Sequence, residues 1–329
     1  MSDLEHIKAC LDAISDPAGQ GGLLSSGRAS APRLADGRAG LILDVTGLSL
    51  SARDALNAEV QAQLKALPGV TEVRIAMTSE KPVRRMIAVA SGKGGVGKST
   101  VSTNLAVALK RSGFTTGLVD GDIYGPSQPV LTASEGQKPQ AQGQKLIPVD
   151  TGIGIPLLSM GHLVQPGQAI AWRGPMAGNA LGQLIDAEWG DVDLLVADLP
   201  PGTGDVQLSM VQKHKPVGAV IVSTPQDLAL IDATRAMDFF RSADVPIIGL
   251  IENMAGYVCP HCGEVSDPFG SGGAEAAVRT LGVPFLGRIP LTIAIREASD
   301  AGRPPAAGSG PEAQAFHDIA GKIADWLKA

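Results

Sequence analysis

The run Gly92-Lys93-Gly94-Gly95-Val96-Gly97-Lys98-Ser99-Thr100 constrains this chain more than any other stretch of it. It lies between Met86 to Ala90, an apolar run of strand length, and Ser99 to Arg111, in which Val101, Leu105, Val107, Ala108 and Leu109 recur at helical spacing. Glycines in such a loop let successive backbone N–H groups turn inward around an anion, and the N-terminus of the following helix aims positive charge at the same point. The spacing fits a phosphate cradle in which Lys98 bridges the β- and γ-phosphates of a nucleotide and Ser99 offers its hydroxyl to Mg2+. A glycine-rich turn without a ligand is the bland alternative; the complete pattern between a strand and a helix argues against it.

Strand and helix patterns alternate from Met86 onward. Further strands are expected at Gly117 to Asp120, Leu194 to Asp198, Ala219 to Ser223, Ile247 to Glu252 and Pro284 to Gly287. This alternation predicts an α/β domain, a mostly parallel sheet with helices on both faces and ligands at the carboxyl ends of the strands. Aromatic residues make up only 3% of the chain, so the core should be Val, Ile, Leu and Ala. Two acidic strand ends then belong to the nucleotide site. Asp198 precedes Leu199-Pro200-Pro201-Gly202-Thr203-Gly204 and should hold Mg2+ through water, while Asp122, after Asp120-Gly121, could orient an attacking water. Either aspartate could instead cap the turn that follows it.

The first part of the chain reads differently. A helix from Leu4 to Ile14, an extended segment around Leu41 to Leu48, a helix with Ala52, Leu56, Val60, Leu64 and Leu67 in which Ser51 serves as cap, and a strand from Val70 to Met77 make a small α+β unit. The polar, proline-containing Ser79-Glu80-Lys81-Pro82 marks the junction, which gives domains of 1–80 and 81–329. Thr132 to Gln144, rich in Gln, Gly, Lys and Ala, reads as a mobile surface loop.

A formal net charge of −6 offers no polybasic footprint for nucleic acid. No apolar run approaches the roughly 20 residues that span a bilayer, and no basic start leads into an apolar stretch, so a cytoplasmic setting without membrane attachment is expected. The three cysteines are Cys10, which falls in an apolar helical pattern and reads as a small core residue, and the pair Cys259 and Cys262. A Cys-x-x-Cys pair in such a chain implies metal or redox chemistry. Disulfide exchange wants its first thiolate at a helix N-terminus, and the turn-like Gly263-Glu264-Val265-Ser266-Asp267-Pro268 does not supply one.

Lys93, Asp120 to Ser127 (Asp-Gly-Asp-Ile-Tyr-Gly-Pro-Ser), Trp172-Arg173-Gly174-Pro175-Met176, Asp198 to Asp205 and Cys259-Pro260-His261-Cys262 together resemble the Mrp/NBP35 family of iron–sulfur cluster carriers, ATPases of the deviant Walker A class. Asp16-Pro17 and Leu67-Pro68-Gly69-Val70 make the N-terminal unit similar to the MIP18-like domain found ahead of the ATPase in many members. The resemblance implies a homodimer in which Lys93 reaches the partner's nucleotide, an Asn253 that contacts the base, and ATP hydrolysis coupled to loading or release of a cluster passed on to apo iron–sulfur proteins. Zn2+ and a [4Fe-4S] cluster each ask for four ligands and one Cys-x-x-Cys supplies two thiolates, so a two-fold axis through Cys259 and Cys262 would supply the rest. The resemblance favours the cluster over zinc; His261 could be a third ligand but more often such a residue faces solvent. Two alternatives stay open: a ParA/MinD-type positioning ATPase and a zinc-stabilised nucleotide switch. Against the former, Ala315, Phe316, Ile319, Ile323 and Trp326 form a stripe suited to packing on the domain rather than to a membrane surface.

Overall fold

The structure is a computed structural model that describes all residues except 1, 2, 18, 20, 47, 49, 80–83 and 164–173. The chain divides into two compact units, Met1–Val83 and Arg84–Ala329. Residues 80–82 of the junction expected from the sequence lie outside the described ones, as do Trp172 and Arg173.

In the first unit, α1 (Asp3–Ala13) buries Ile7 and Leu11. Strands β1 (Arg33–Ala35) and β2 (Arg38–Asp44) pair antiparallel, and α2 (Leu50–Lys65) returns the chain so that β3 (Glu72–Thr78) pairs parallel to β2. Ala39, Leu41 and Leu43 alternate inward from β2 and meet Leu56, Val60 and Leu64 of the helix, which is what one-sided burial demands of each period. The helix starts at Leu50, so Ser51 falls inside its first turn rather than ahead of it. Cys10 packs at the edge of this core, its thiol pushed up by burial.

The second unit is built on an eight-stranded sheet. In chain order its elements are β4 (Arg85–Ala90), α3 (Lys98–Arg111), β5 (Thr116–Asp120), α4 (Gln128–Leu131), β6 (Gln140–Gln142), β7 (Lys145–Ile147), β8 (Leu157–Ser159), α5 (Met160–Leu163), α6 (Gly174–Ile185), β9 (Leu194–Asp198), α7 (Asp205–His214), β10 (Gly218–Ser223), α8 (Asp227–Ser242), β11 (Ile247–Val258), β12 (Val265–Ser266), α9 (Gly273–Leu281), β13 (Phe285–Leu291), α10 (Ile293–Asp300) and α11 (Pro311–Lys328). The sheet runs β12-β11-β10-β4-β9-β5-β8 with β13 also on β11, and every pairing is parallel except that of β12. β4 shows why both faces need helices: Met86, Ala88 and Ala90 join a core with Leu181, Met210 and Phe240, while Ile87 and Val89 join another with Leu105, Phe316 and Ile319.

Two of these expectations change, and one strand goes unread. β11 continues six residues beyond Glu252, to Val258. Thr132 to Gln144 is not an exposed loop throughout: Thr132 and Ser134 are buried, their hydroxyls 3.0 Å apart, and Gln140–Gln142 forms a hairpin with Lys145–Ile147. Polar residues that bond one another inside a protein leave the same composition as a solvated loop. The short edge strand β8 carried no pattern long enough to be read. The stripe of α11 buries Phe316, Ile319 and Ile323 against α3 and β13, and no described helix is long and apolar enough to cross a membrane.

Candidate functional site

The loop between β4 and α3 ends at Gly97, whose left-handed backbone (φ 80°, ψ 21°) suits glycine, and a Cβ there would collide with the Asn253 amide. At Gly92 a Cβ would enter the backbone of Asp232 on α8. These approaches press the loop against its neighbours and leave a cavity of about 300 Å³ walled by Lys93 through Thr100 with Asp122, Ser127 and Pro201.

Lys98 and Asp198 meet behind that wall. Lys98 Nζ lies 2.5 Å from Asp198 Oδ1, and neither side chain exposes more than 6% of its surface. Ser102 Oγ donates to the same oxygen at 2.9 Å, and Gln128 Nε2 donates to Oδ2 at 2.9 Å. The ammonium is also 3.5 Å from Ser99 Oγ. A hydroxyl on the cavity wall and a carboxylate one shell deeper thus converge on a single cationic position, a hard-oxygen donor set that suits Mg2+ with part of its water retained. Asp198 itself does not line the cavity.

Asp122 lines the cavity and caps its turn, accepting from the N–H groups of Tyr124 (3.0 Å) and Gly125 (3.2 Å). Asp120, which sequence reasoning passed over, is fully buried opposite Asp198 on the adjacent strand. Burial first, then the Asp198 charge, pushes its carboxyl up to about 7. It accepts from Ser159 Oγ at 2.8 Å and from the Gln128 N–H at 3.1 Å. Lys93 sits on the cavity wall with Nζ 3.3 Å from Gln226 Oε1 of its own chain. Asn253 is buried outside the wall and donates from Nδ2 to the Val96 carbonyl at 2.8 Å, so it braces the loop from the β11 side.

The same strand carries the cysteines. Beside Asn253, Glu252 is buried, accepting from the Ala274 N–H at 2.9 Å and from Arg288 Nε at 2.8 Å. Beyond it the pairing with β13 shifts register between Asn253 and Tyr257, and Met254 takes a left-handed φ of 59°. Tyr257 and Val258 then pair with β12, Cys259 N donates to the Glu264 carbonyl, and Gly263 N donates back to the Cys259 carbonyl, each at 2.9 Å. The result is a tight turn from which Cys262 and His261 are exposed. The N–H groups of Cys262 and His261, followed by the Cys262 thiol, hold the Cys259 thiol below its ordinary value. Such bonds favour the thiolate, the form that ligates metal. Among the described residues no group of three or more His, Cys, Asp or Glu could hold a metal ion.

A glycine loop between a parallel strand and a helix, with an acidic strand end behind its lysine, defines a P-loop nucleoside triphosphatase. Residues 82–324 match the NUBPL iron-transfer P-loop NTPase family, and the chain belongs to it. Residues 4–75 match the family described as iron-sulfur cluster assembly protein. An iron-sulfur cluster carrier protein of Deinococcus radiodurans is 41% identical over 330 residues, covering 95% of this chain and 93% of its own. An Arabidopsis thaliana iron-sulfur protein required for NADH dehydrogenase is 48% identical over 75% of this chain and 80% of its own. Among solved structures, a nucleotide-binding protein of Archaeoglobus fulgidus in complex with ADP is 38% identical, with a TM-score of 0.59, over 70% of this chain and 90% of its own. The cell division ATPase MinD of Pyrococcus furiosus is similar in fold alone (24% identity, TM-score 0.56, over 74% of this chain and 99% of its own). The family supports the carrier over the positioning ATPase.

Proposed function

We propose that this chain hydrolyses ATP to load or release a [4Fe-4S] cluster that two copies hold between them and hand to apo iron–sulfur proteins. The observation that carries this reading is β11, which braces the phosphate loop through Asn253 and ends in the turn that presents Cys259 and Cys262.

In this reading the loop amides and Lys98 take the β- and γ-phosphates, and Ser99 and, through water, Asp198 would hold Mg2+, which would supply neutralisation of phosphate charge. Lys98 must leave Asp198 to reach the phosphate, and the carboxylate keeps its Ser102 and Gln128 donors when it does. Asp122, on the cavity wall, orients the attacking water. Lys93 exchanges its Gln226 contact for the partner's nucleotide. Asn253 has an amide oxygen and a second N–H hydrogen to offer the adenine edge. At the far end of β11, Cys259 and Cys262 contribute two thiolates per chain, and a two-fold axis brings four to the cluster. Residues 1–80 act as the MIP18-like domain ahead of the ATPase at 81–329. Reduced thiols suit a cytosolic setting.

Differently tagged heterodimers of wild-type chains and chains carrying Cys259→Ala with Cys262→Ala provide the test, after anaerobic reconstitution with iron and sulfide. The expected product has no stable cluster, while wild-type homodimers take up four irons per pair, as a [4Fe-4S] cluster requires. Near-stoichiometric iron in the heterodimer would refute the shared site, and a colourless wild type holding only zinc would refute the cluster.

A further inference from the structure

Gln128 follows the Asp120 to Ser127 run and opens α4, a helix too short to act through its own dipole. Its side chain is fully buried. Oε1 lies 2.5 Å from Thr103 Oγ1, a hydroxyl that is also 2.9 Å from the Ser99 carbonyl. Nε2 donates to the Ser99 carbonyl at 3.0 Å and to Asp198 Oδ2 at 2.9 Å. The partners fix the orientation of the amide: a carboxylate and a carbonyl can only accept, so the nitrogen faces them and the oxygen faces the threonine. One amide therefore joins α3, the end of β9 and, through its own backbone N–H, Asp120 at the end of β5.

This arrangement matters when Lys98 moves. In the structure Asp198 is held by Lys98, Ser102 and Gln128, and Oδ2 has Gln128 as its one donor among the bonds of the described residues. Once a phosphate draws the ammonium away, Ser102 and Gln128 alone determine where the carboxylate points. The second donor on Gln128 meanwhile fixes the carbonyl of Ser99, the residue whose hydroxyl faces the same cation.

We propose that Gln128 is a positioning residue that holds the Asp198 carboxylate and the Ser99 backbone in the geometry that receives hydrated Mg2+, independently of Lys98. This rests on the nucleotide half of the function proposed above. It requires that removing the amide weaken the cation's contribution and leave binding of the nucleotide by the loop amides intact. The probes are ADP and Mg2+, with ADP affinity measured by calorimetry across a Mg2+ titration, first for wild type and Gln128→Leu. We expect the Mg2+ concentration for half-maximal tightening of ADP to rise about 10-fold, the lower end of what partners of metal ligands contribute, with affinity in EDTA changed less than about 2-fold. At saturating nucleotide, kcat falls while the KM for ATP holds, because the interaction lost is one that orients the reacting centre. Thr103→Val, which keeps the volume and frees the amide oxygen, should move the Mg2+ requirement in the same direction by about 3-fold, and it decides the matter if the leucine variant does not fold. An unchanged Mg2+ requirement in the folded variants, or equal weakening with and without Mg2+, would reduce Gln128 to packing and overturn the proposal. A wild-type protein whose nucleotide binding ignores Mg2+ would instead count against the proposed ATPase itself.

Discussion

At the centre of the sheet, Asp198 is fully buried and accepts bonds from residues on α3 and α4, so one chain supplies every donor that holds this carboxylate. Beyond the paired part of β11, Cys259 and Cys262 sit on a turn tied by two backbone hydrogen bonds, Cys259 partly buried and Cys262 exposed. The contrast follows from what each ligand demands. A nucleotide phosphate needs many donors whose positions are fixed before it arrives, and a parallel sheet with helices on both faces fixes them cheaply at its strand ends. A cluster needs four soft ligands, and a turn carrying two leaves room both for a second copy to complete the set and for an acceptor to take it away. Asp198 and Lys98 are buried, whereas Cys262 is exposed, as suits the release of a cargo in the function proposed above.

The sharpest way to break that contrast is at the turn. Cys259→Ala or Cys262→Ala alone should abolish the oxygen-labile visible absorbance of the reconstituted protein altogether, with nucleotide binding retained; a half-content cluster would show that each chain binds independently. The next effect is at Lys98. Lys98→Ala should lower ATP turnover at least about 100-fold. Because the structure pairs this lysine with a buried carboxylate, the variant should also lose about 3 kcal/mol of stability in denaturant titrations. Turnover near wild type would remove the phosphate role. Asp122→Asn should slow hydrolysis by about 10- to 100-fold with ATP still bound, as judged by single-turnover kinetics and calorimetry. Loss of binding would mean that its bonds to Tyr124 and Gly125 hold the cavity open and little else.

A smaller effect concerns Asp120. Its native pKa of about 7 lies above the ordinary carboxylate value of 3.8, so the folded state holds a proton that the unfolded chain releases. The sign follows: its contribution to stability is greatest below the unfolded pKa, declines as pH rises from about 4 to about 7 and is flat beyond. Asp120→Asn should flatten that part of the nucleotide-free protein's stability profile, and an unchanged slope would remove the assignment. Smallest of all, Cys10→Ala should leave the iron content of the reconstituted protein unchanged, since that thiol packs at the edge of the first unit's core; loss of iron would extend the cluster site beyond the turn.

The sequence carried the parallel sheet because its strands are buried on both faces and read as continuous apolar runs, as Leu194 to Asp198 does. It carried the loop, Lys98, Ser99, Asp122 and Asp198 because each depends on position relative to a strand end, which is local information. It hid the hairpin of Gln140–Gln142 with Lys145–Ile147 and the extension of β11 onto β12, because these short pairing segments show no period. Glu252 and Asp120 looked like ordinary strand-end acids; that one is matched to Arg288 and the other buried opposite Asp198 is decided by which strands lie side by side. Asn253 shows the same division. Its residue type fits a base contact, yet only tertiary packing brings its amide to the Val96 carbonyl. Gln128 marks the boundary most plainly, since nothing in a glutamine after a proline-serine turn announces a carboxylate partner on another strand. Local pattern determined where the proposed phosphate and metal ligands fall along this chain. The buried hydrogen bonds that aim them were settled by the fold, because donors and acceptors removed from water must find partners wherever packing puts them.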